Sequence, residues 1–333
     1  MDKNDLIKRR DALLDNVKGI VVLCFMFSSI ITNASKTFSL PDWMPHTNHG
    51  APGIPYLNFG LFDFGPVLFF FLIGLIVVQS FNRRLEREGK SAYKQFFFKN
   101  AALVGIVAVT YVFFLNTFTG THYYWNSIIA VGFTGMLLTG VLPFCRKNKW
   151  IKLAIGVGIL LVYTLLGDKL DILRANEPAG LVEGGWGACF GYLAVVLISS
   201  FIGDMISKGT IFYFIISVVL GIVAVMMNFV AKADYSSYNT TYLLTALAIL
   251  NGAYFIFYLI YKYVYPKPVP LLSTLGRNLL LFLVITGFVD LLVMFALGPF
   301  QSIEQLLVLS SICAVAYLLL AIPLSKKKVI FKM

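Results

Sequence analysis

Ten apolar runs, each close to the length of a membrane crossing, divide this sequence and leave it few ways to fold. They cover residues 17–35, 61–81, 97–116, 124–144, 150–167, 187–205, 210–230, 241–262, 275–297 and 303–324. A helix needs about 20 mostly apolar residues to cross the hydrocarbon core. Inside lipid the backbone must satisfy its own hydrogen bonds, so each run is expected to be an α-helix. Composition agrees: 59% of the chain is hydrophobic and 13% is charged, where a soluble domain carries about 25% charged residues. The expected fold is all-α, a polytopic integral membrane protein with about ten transmembrane helices, read as one domain over residues 1–333.

The basic residues orient it. If residues 1–16 are a cytoplasmic N-terminal segment and the runs alternate, only Lys36, Lys169, Arg174 and Lys232 of the 27 Lys and Arg fall outside. Cytoplasmic loops of membrane proteins are enriched in Lys and Arg, so both termini are expected in the cytoplasm. The formal net charge of +11 then reflects membrane anchoring and gives no reason to expect nucleic acid. The first apolar run lacks a small-residue cleavage site and reads as a retained helix. Cys24, Cys145, Cys189 and Cys313 lie in or beside apolar runs, with neither metal spacing nor a disulfide framework.

Most connections are short. The exception is the extracytoplasmic loop 36–60, which contains Pro41, Pro45, Pro52, Pro55, Gly50 and Gly53. Such a segment is neither helix nor strand, and long ordered loops tend to be functional. It also carries His46 and His49; the third histidine, His122, lies in the next outer loop. Thus every histidine is expected on the face that holds few cations.

Polar groups in or beside spans are costly in lipid and normally face protein or water. Asn33 and Asp63 sit at the outer ends of the first two runs, which the His-bearing loop connects. An imidazole with a pKa near about 6.5 can act as a base at neutral pH. A nearby carboxylate can fix its tautomer, and an amide can polarise a carbonyl. The plainer alternative is that Asp63 caps its helix and the histidines are solvated. His122 precedes Tyr123, Tyr124 and Trp125. That run fits an interfacial aromatic belt, or places His122 at the same outer vestibule. On the inner side, Asp15 and Lys18 form an i, i+3 pair, and Arg10, Lys18 and Arg277 are suited to phosphate contacts or to simple anchoring. The His-Thr-Asn-His run has no adjacent Cys or carboxylate, and no metal site is expected.

Several of these residues lie in segments that resemble motifs of one family. Leu14-Asp15-Asn16-Val17-Lys18-Gly19-Ile20 is similar to an L-D-x-x-R-G-I opening, with Asn33 following at the outer end. Trp43-Met44-Pro45-His46-Thr47-Asn48-His49-Gly50 is similar to W-x-x-H-x-x-W-x-G. Phe62-Asp63-Phe64-Gly65-Pro66 and the Phe-rich run to Gly74 are similar to D-L-V-F-P-x-F-x-F-x-x-G. Asn239-Thr240-Thr241-Tyr242-Leu243-Leu244 resembles S-x-x-Y-x-L, and Leu275-Gly276-Arg277-Asn278-Leu279-Leu280 resembles L-G-x-N-A-L. In this order the motifs resemble the transmembrane acyltransferases that include heparan-α-glucosaminide N-acetyltransferase and its bacterial relatives.

The resemblance implies that acyl-CoA, usually acetyl-CoA, is the donor on the cytoplasmic side and a sugar or glycan the acceptor on the other. It implies catalytic roles for His46, Asn33 and Asp63. Trp43, His49 and His122 then border the acceptor, and Arg10, Asp15, Lys18, Arg277 and Asn278 the CoA. Lys18 replaces a usual Arg, His49 a usual Trp and Asn239 a usual Ser. The implied partners are acyl-CoA, a carbohydrate and membrane lipid; assembly as a homodimer is left open. The short loops suit a bacterial plasma membrane. The alternatives are a membrane transporter, which would carry repeats or paired broken helices, and a membrane protein without an enzymatic reaction. The O-antigen acetylase class fits less well, because it pairs an Arg with a His about ten residues on, and Arg10 has no His before His46.

Overall fold

A computed structural model describes residues 3–34, 40, 60, 63–110, 125, 127–167, 184–235, 237–279, 281–286, 289, 302–327, 329 and 330, with side chains from residue 12 onward except 32 and 33. All the regular elements among the described residues are helices. In chain order the helices are α1 (Lys3–Ala34), α2 (Gly65–Glu88), α3 (Ser91–Thr110), α4 (Ser127–Cys145) and α5 (Lys149–Leu165). There follow α6 (Gly185–Ile206), α7 (Thr210–Val230), α8 (Thr240–Leu259, ending in a π-turn over Ile260–Val264), α9 (Pro270–Arg277) and α10 (Ile303–Lys326).

Among the described residues seven helical segments are long and apolar enough to cross a membrane: Ala12–Ile31 within α1, then α2, α4, α6, α7, α8 with its π-turn, and α10. This is an integral membrane protein. The other three expected crossings do not reach that length and apolarity among the described residues, and of the ninth run residues 287, 288 and 290–297 lie outside the description. Helix α3 includes Lys94 before the run and Lys99 within it, and residues 111–116 lie outside the description. Helix α5 has only 17 residues. Helix α9 stops at Arg277, where the Asn278 N–H is shared between the Thr274 and Leu275 carbonyls. The chain is helical again over 281–286, and Phe282 N–H donates to the Asn278 carbonyl at 3.1 Å. The ninth run is therefore tightened at Asn278.

Local chemistry sets the helix ends. Pro66 lies in the first turn of α2 and Pro270 in that of α9, where the missing N–H costs no hydrogen bond. Asn148 and Asn239 cap α5 and α8, accepting from the N–H groups of Trp150 and Tyr242. Gly89 ends α2 at φ +62°, a region glycine occupies without strain.

Helix α6 is the centre of the larger core. Of its most apolar stretch 89% is buried in protein, against 17% for α7. Helices α2, α4, α5, α7 and α8 pack around α6, and α3 packs on α4. Outward-facing Ile211, Phe229 and Val230 on α7 and Ile312 on α10 fit a lipid-facing surface. A second core joins the outer half of α1 to α9, Phe282 and α10 through Val22, Met26, Ile30, Leu275, Phe282 and Tyr317.

Glycines set the closest crossings. A Cβ on Gly276 would fall on the Asp15 carbonyl oxygen, and one on Gly19 on the Leu272 carbonyl. Helices α1 and α9 thus meet backbone to backbone, the approach small residues permit inside membranes. Gly74 on α2 and Gly203 on α6 do the same for the central pair, facing Val196 and Leu75.

Candidate functional site

Two clusters, one at each end of the bundle, bring together sequence segments that are far apart. The first cluster lies where α1 crosses α9. Arg277 Nε donates to Asp15 Oδ2 at 2.8 Å across 262 residues. The Arg277 side chain is 49% exposed, so this pair contributes less than about 1 kcal/mol to stability. Its more evident consequence is to hold a guanidinium at the mouth of the α1/α9 crossing.

Asn278, beside it, is fully buried, and its Nδ2 donates to the Thr274 carbonyl at 3.0 Å and the Val329 carbonyl at 3.3 Å. Asn278 therefore ties the end of α9 to the chain beyond α10. Lys18 is half-buried one turn above Asp15. Arg10 lies on α1 with its side chain outside the description. Asn16 was not singled out by the sequence. It is 8% exposed and its Oδ1 finds no hydrogen-bond partner among the described residues. Leaving such a group unmatched costs about 1–3 kcal/mol, and its position inside the Leu14–Ile20 motif was the available signal.

The second cluster forms around Asp63, which is wholly buried. It does not cap α2. The N-cap position is Phe64, with no side-chain cap, and the Asp63 carboxylate turns back to accept from the Gly60 N–H at 2.5 Å. A carboxylate satisfied by backbone N–H groups is held in one orientation. Tyr242, in the first turn of α8, donates its hydroxyl to the Asp63 carbonyl at 2.5 Å. Around it Tyr238 meets Tyr192 and Tyr242 edge-on, and Tyr192 stacks on Phe70 with ring centroids 4.2 Å apart. Tyr163 at the outer end of α5 donates to the Tyr238 carbonyl at 3.0 Å. Tyr242 falls in a motif without an assigned role, and Tyr163 and Tyr192 lie in distant segments.

Asn33 lies on the last turn of α1, with its side chain outside the description, and Trp43, His46, His49 and His122 lie outside the described residues. Trp125, read above as part of an interfacial belt, is half-buried. Its indole N–H is shielded and has no hydrogen-bond partner among the described residues. A belt residue would instead present that N–H to the headgroup region.

The described candidates thus sort by face. Asp15, Lys18, Arg277 and Asn278 gather where α1 meets α9, while Asp63 is buried at the opposite end of α2, beside Tyr242. Cationic groups at an exposed mouth suit an anionic ligand. No known protein-family model matches this chain, and no curated protein is significantly similar to it.

Proposed function

We propose that this protein is an acyl-CoA-dependent transmembrane acyltransferase, moving an acyl group, acetyl in the simplest case, from cytoplasmic CoA to a sugar or glycan outside. The reading rests on one observation. Four motif segments form two contacts, Asp15 with Arg277 and Asp63 with Tyr242, one at each end of the bundle. A reaction with its donor on one side and its acceptor on the other needs that division. In this reading the chain crosses ten times with both termini on the cation-rich side, in a bacterial plasma membrane.

The CoA phosphates are held by Lys18 and Arg277, with Arg10 nearby on α1. Asp15 orients the Arg277 guanidinium, and Asn278 fixes the helix end from which Arg277 projects. The thioester reaches the outer end of α1, where Asn33 polarises its carbonyl. His46 takes the proton from the acceptor hydroxyl or amine as its oxygen or nitrogen attacks the thioester carbon. The new C–O or C–N bond forms, the C–S bond breaks, and the departing thiolate recovers a proton from His46. Asp63 orients this constellation, and Trp43, His49 and His122 border the acceptor. A placed general base contributes about 10²- to 10⁴-fold, and fixing two reactants together can supply several kcal/mol more.

The tightened helix at Asn278 gives a transporter its one point of support, since interrupted helices line many substrate paths. Purified protein supplied with acetyl-CoA and amino or neutral sugars separates the two readings. Acceptor-dependent release of CoA thiol, with an acetylated sugar recovered, is the expected result. Sugar uptake into proteoliposomes that does not need CoA, with no thiol release, would replace the enzyme reading by the transporter.

A further inference from the structure

A polar pocket opens on the cation-rich face, away from the α1/α9 crossing. Its volume is about 430 Å³, and its lining includes Gln79 and Asn82 from α2, Arg146 after α4, Lys149 and Lys152 from α5, and Asp204 from α6. That size lies within the ordinary range of small-molecule sites, about 300–1,000 Å³.

Its charge is unbalanced. Arg146, Lys147, Lys149 and Lys152 all line it, against the single carboxylate of Asp204. These cations surround the N-terminus of α5, where Asn148 already accepts from the Trp150 N–H at 2.9 Å. A helix N-terminus carries partial positive charge and favours anions, so cations there are unfavourable. Lys208 adds to the crowding: its neighbouring positive charge lowers the Lys149 pKa from the ordinary lysine value, while Asp204 opposes this shift.

Membrane anchoring accounts for Lys147, which is exposed. It does not account for Lys152, which is only 3% exposed and is held by Asp204 Oδ2 and by Ser200 Oγ at 3.3 Å. Gln79 Nε2 donates to the other Asp204 oxygen at 3.3 Å. The carboxylate is thus engaged at both oxygens. Asn82 Nδ2 donates to the Arg146 carbonyl at 3.3 Å, but Asn82 Oδ1 is buried with no hydrogen-bond partner among the described residues. The pocket therefore combines surplus cationic donors with one unmatched acceptor.

We propose that this pocket binds a phosphate ester that carries a neighbouring hydroxyl group. Arg146 and Lys149 donate charge-assisted hydrogen bonds to the phosphate, and Asn82 Oδ1 accepts from the hydroxyl. Lys152, locked to Asp204, contributes to the positive potential beneath them. The same chemistry occurs in a phosphoglycerol lipid headgroup and in a soluble glycerol phosphate. The site goes beyond the acyl-transfer reading and does not depend on it.

The test uses the full chain. In neutral detergent it is titrated with sn-glycerol 3-phosphate; in nanodiscs of phosphatidylcholine it is compared with and without added phosphatidylglycerol. Thermal midpoint and binding are read in both arms. Stabilisation is expected in at least one arm, and the responding arm identifies the source of the phosphate. The Arg146→Gln/Lys149→Gln double variant should bind that ligand at least about tenfold more weakly, a loss of about 1.4 kcal/mol, while Lys149→Arg retains it. No response in either arm, or unchanged affinity in the double variant, would overturn the proposal. So would a lower unliganded midpoint in the double variant, because the cations would then be stabilising the fold themselves.

Discussion

The Tyr242 hydroxyl donates to the Asp63 carbonyl at 2.5 Å across 179 residues of sequence. Both residues are fully buried. This bond fastens the turn that ends the long outer loop to the first turn of α8, and the Asp63 carboxylate, bonded to Gly60 N–H, is oriented by that same turn. Tyr242→Phe leaves a buried carbonyl with one partner fewer and is expected to destabilise the protein by about 1–3 kcal/mol. The measurement is the thermal midpoint in detergent, with a sugar-acetylation assay alongside it. An unchanged midpoint would assign the bond no structural weight.

The α1/α9 crossing has no room for a side chain on Gly276, because the Asp15 carbonyl occupies that space. Gly276→Leu is expected to separate the helices and to remove the monodisperse peak in size-exclusion chromatography. Gly252→Ala, where nothing lies within 4 Å, is the control. It should fold normally, with a midpoint equal to or above wild type, because alanine is the better helix former by up to about 1 kcal/mol.

Asp204→Asn removes the carboxylate that compensates Lys152, whose side chain is 3% exposed. Breaking a buried pair by removing one partner costs about 3–5 kcal/mol; Asp204, itself 23% exposed, places the loss at the lower end. Lys152→Met combined with Asp204→Asn should recover much of it. A double-mutant cycle on midpoints measures the coupling, and strictly additive losses would contradict the pairing.

For the proposed reaction, His46→Ala should abolish acetyl transfer and leave CoA affinity nearly intact. Calorimetric titration with CoA, run beside the thiol-release assay, checks both. Retained turnover would remove His46 as the base.

Lys18→Ala should weaken CoA binding more than it slows turnover, since its assigned role is to hold phosphate. The check is the division of the defect between KM and kcat. A defect in kcat alone would move Lys18 out of the binding role.

The apolar runs alone determined that this chain is helical and lives in a membrane, because lipid leaves the backbone no other way to satisfy its hydrogen bonds. The same reading marked Asp15, Arg277 and Asp63 as unusual, since each is polar at the edge of an apolar segment. It also supplied the segment boundaries closely for α7, where lipid-facing residues dominate and the hydrophobic signal is unmixed. Hydropathy does not record the hydrogen-bond choice that tightens the run 275–297 at Asn278.

Only the tertiary structure decided which polar residues meet. Arg277 finds Asp15 because Gly19 and Gly276 let two backbones touch, and Lys152, indistinguishable in sequence from an anchoring lysine, turns inward to Asp204. Periodicity and hydropathy report each helix's affinity for lipid or protein, which is a property of neighbouring residues. Contacts across 52 and 262 residues depend on the order in which helices pack, and that order follows from side-chain shapes at crossings rather than from any local pattern.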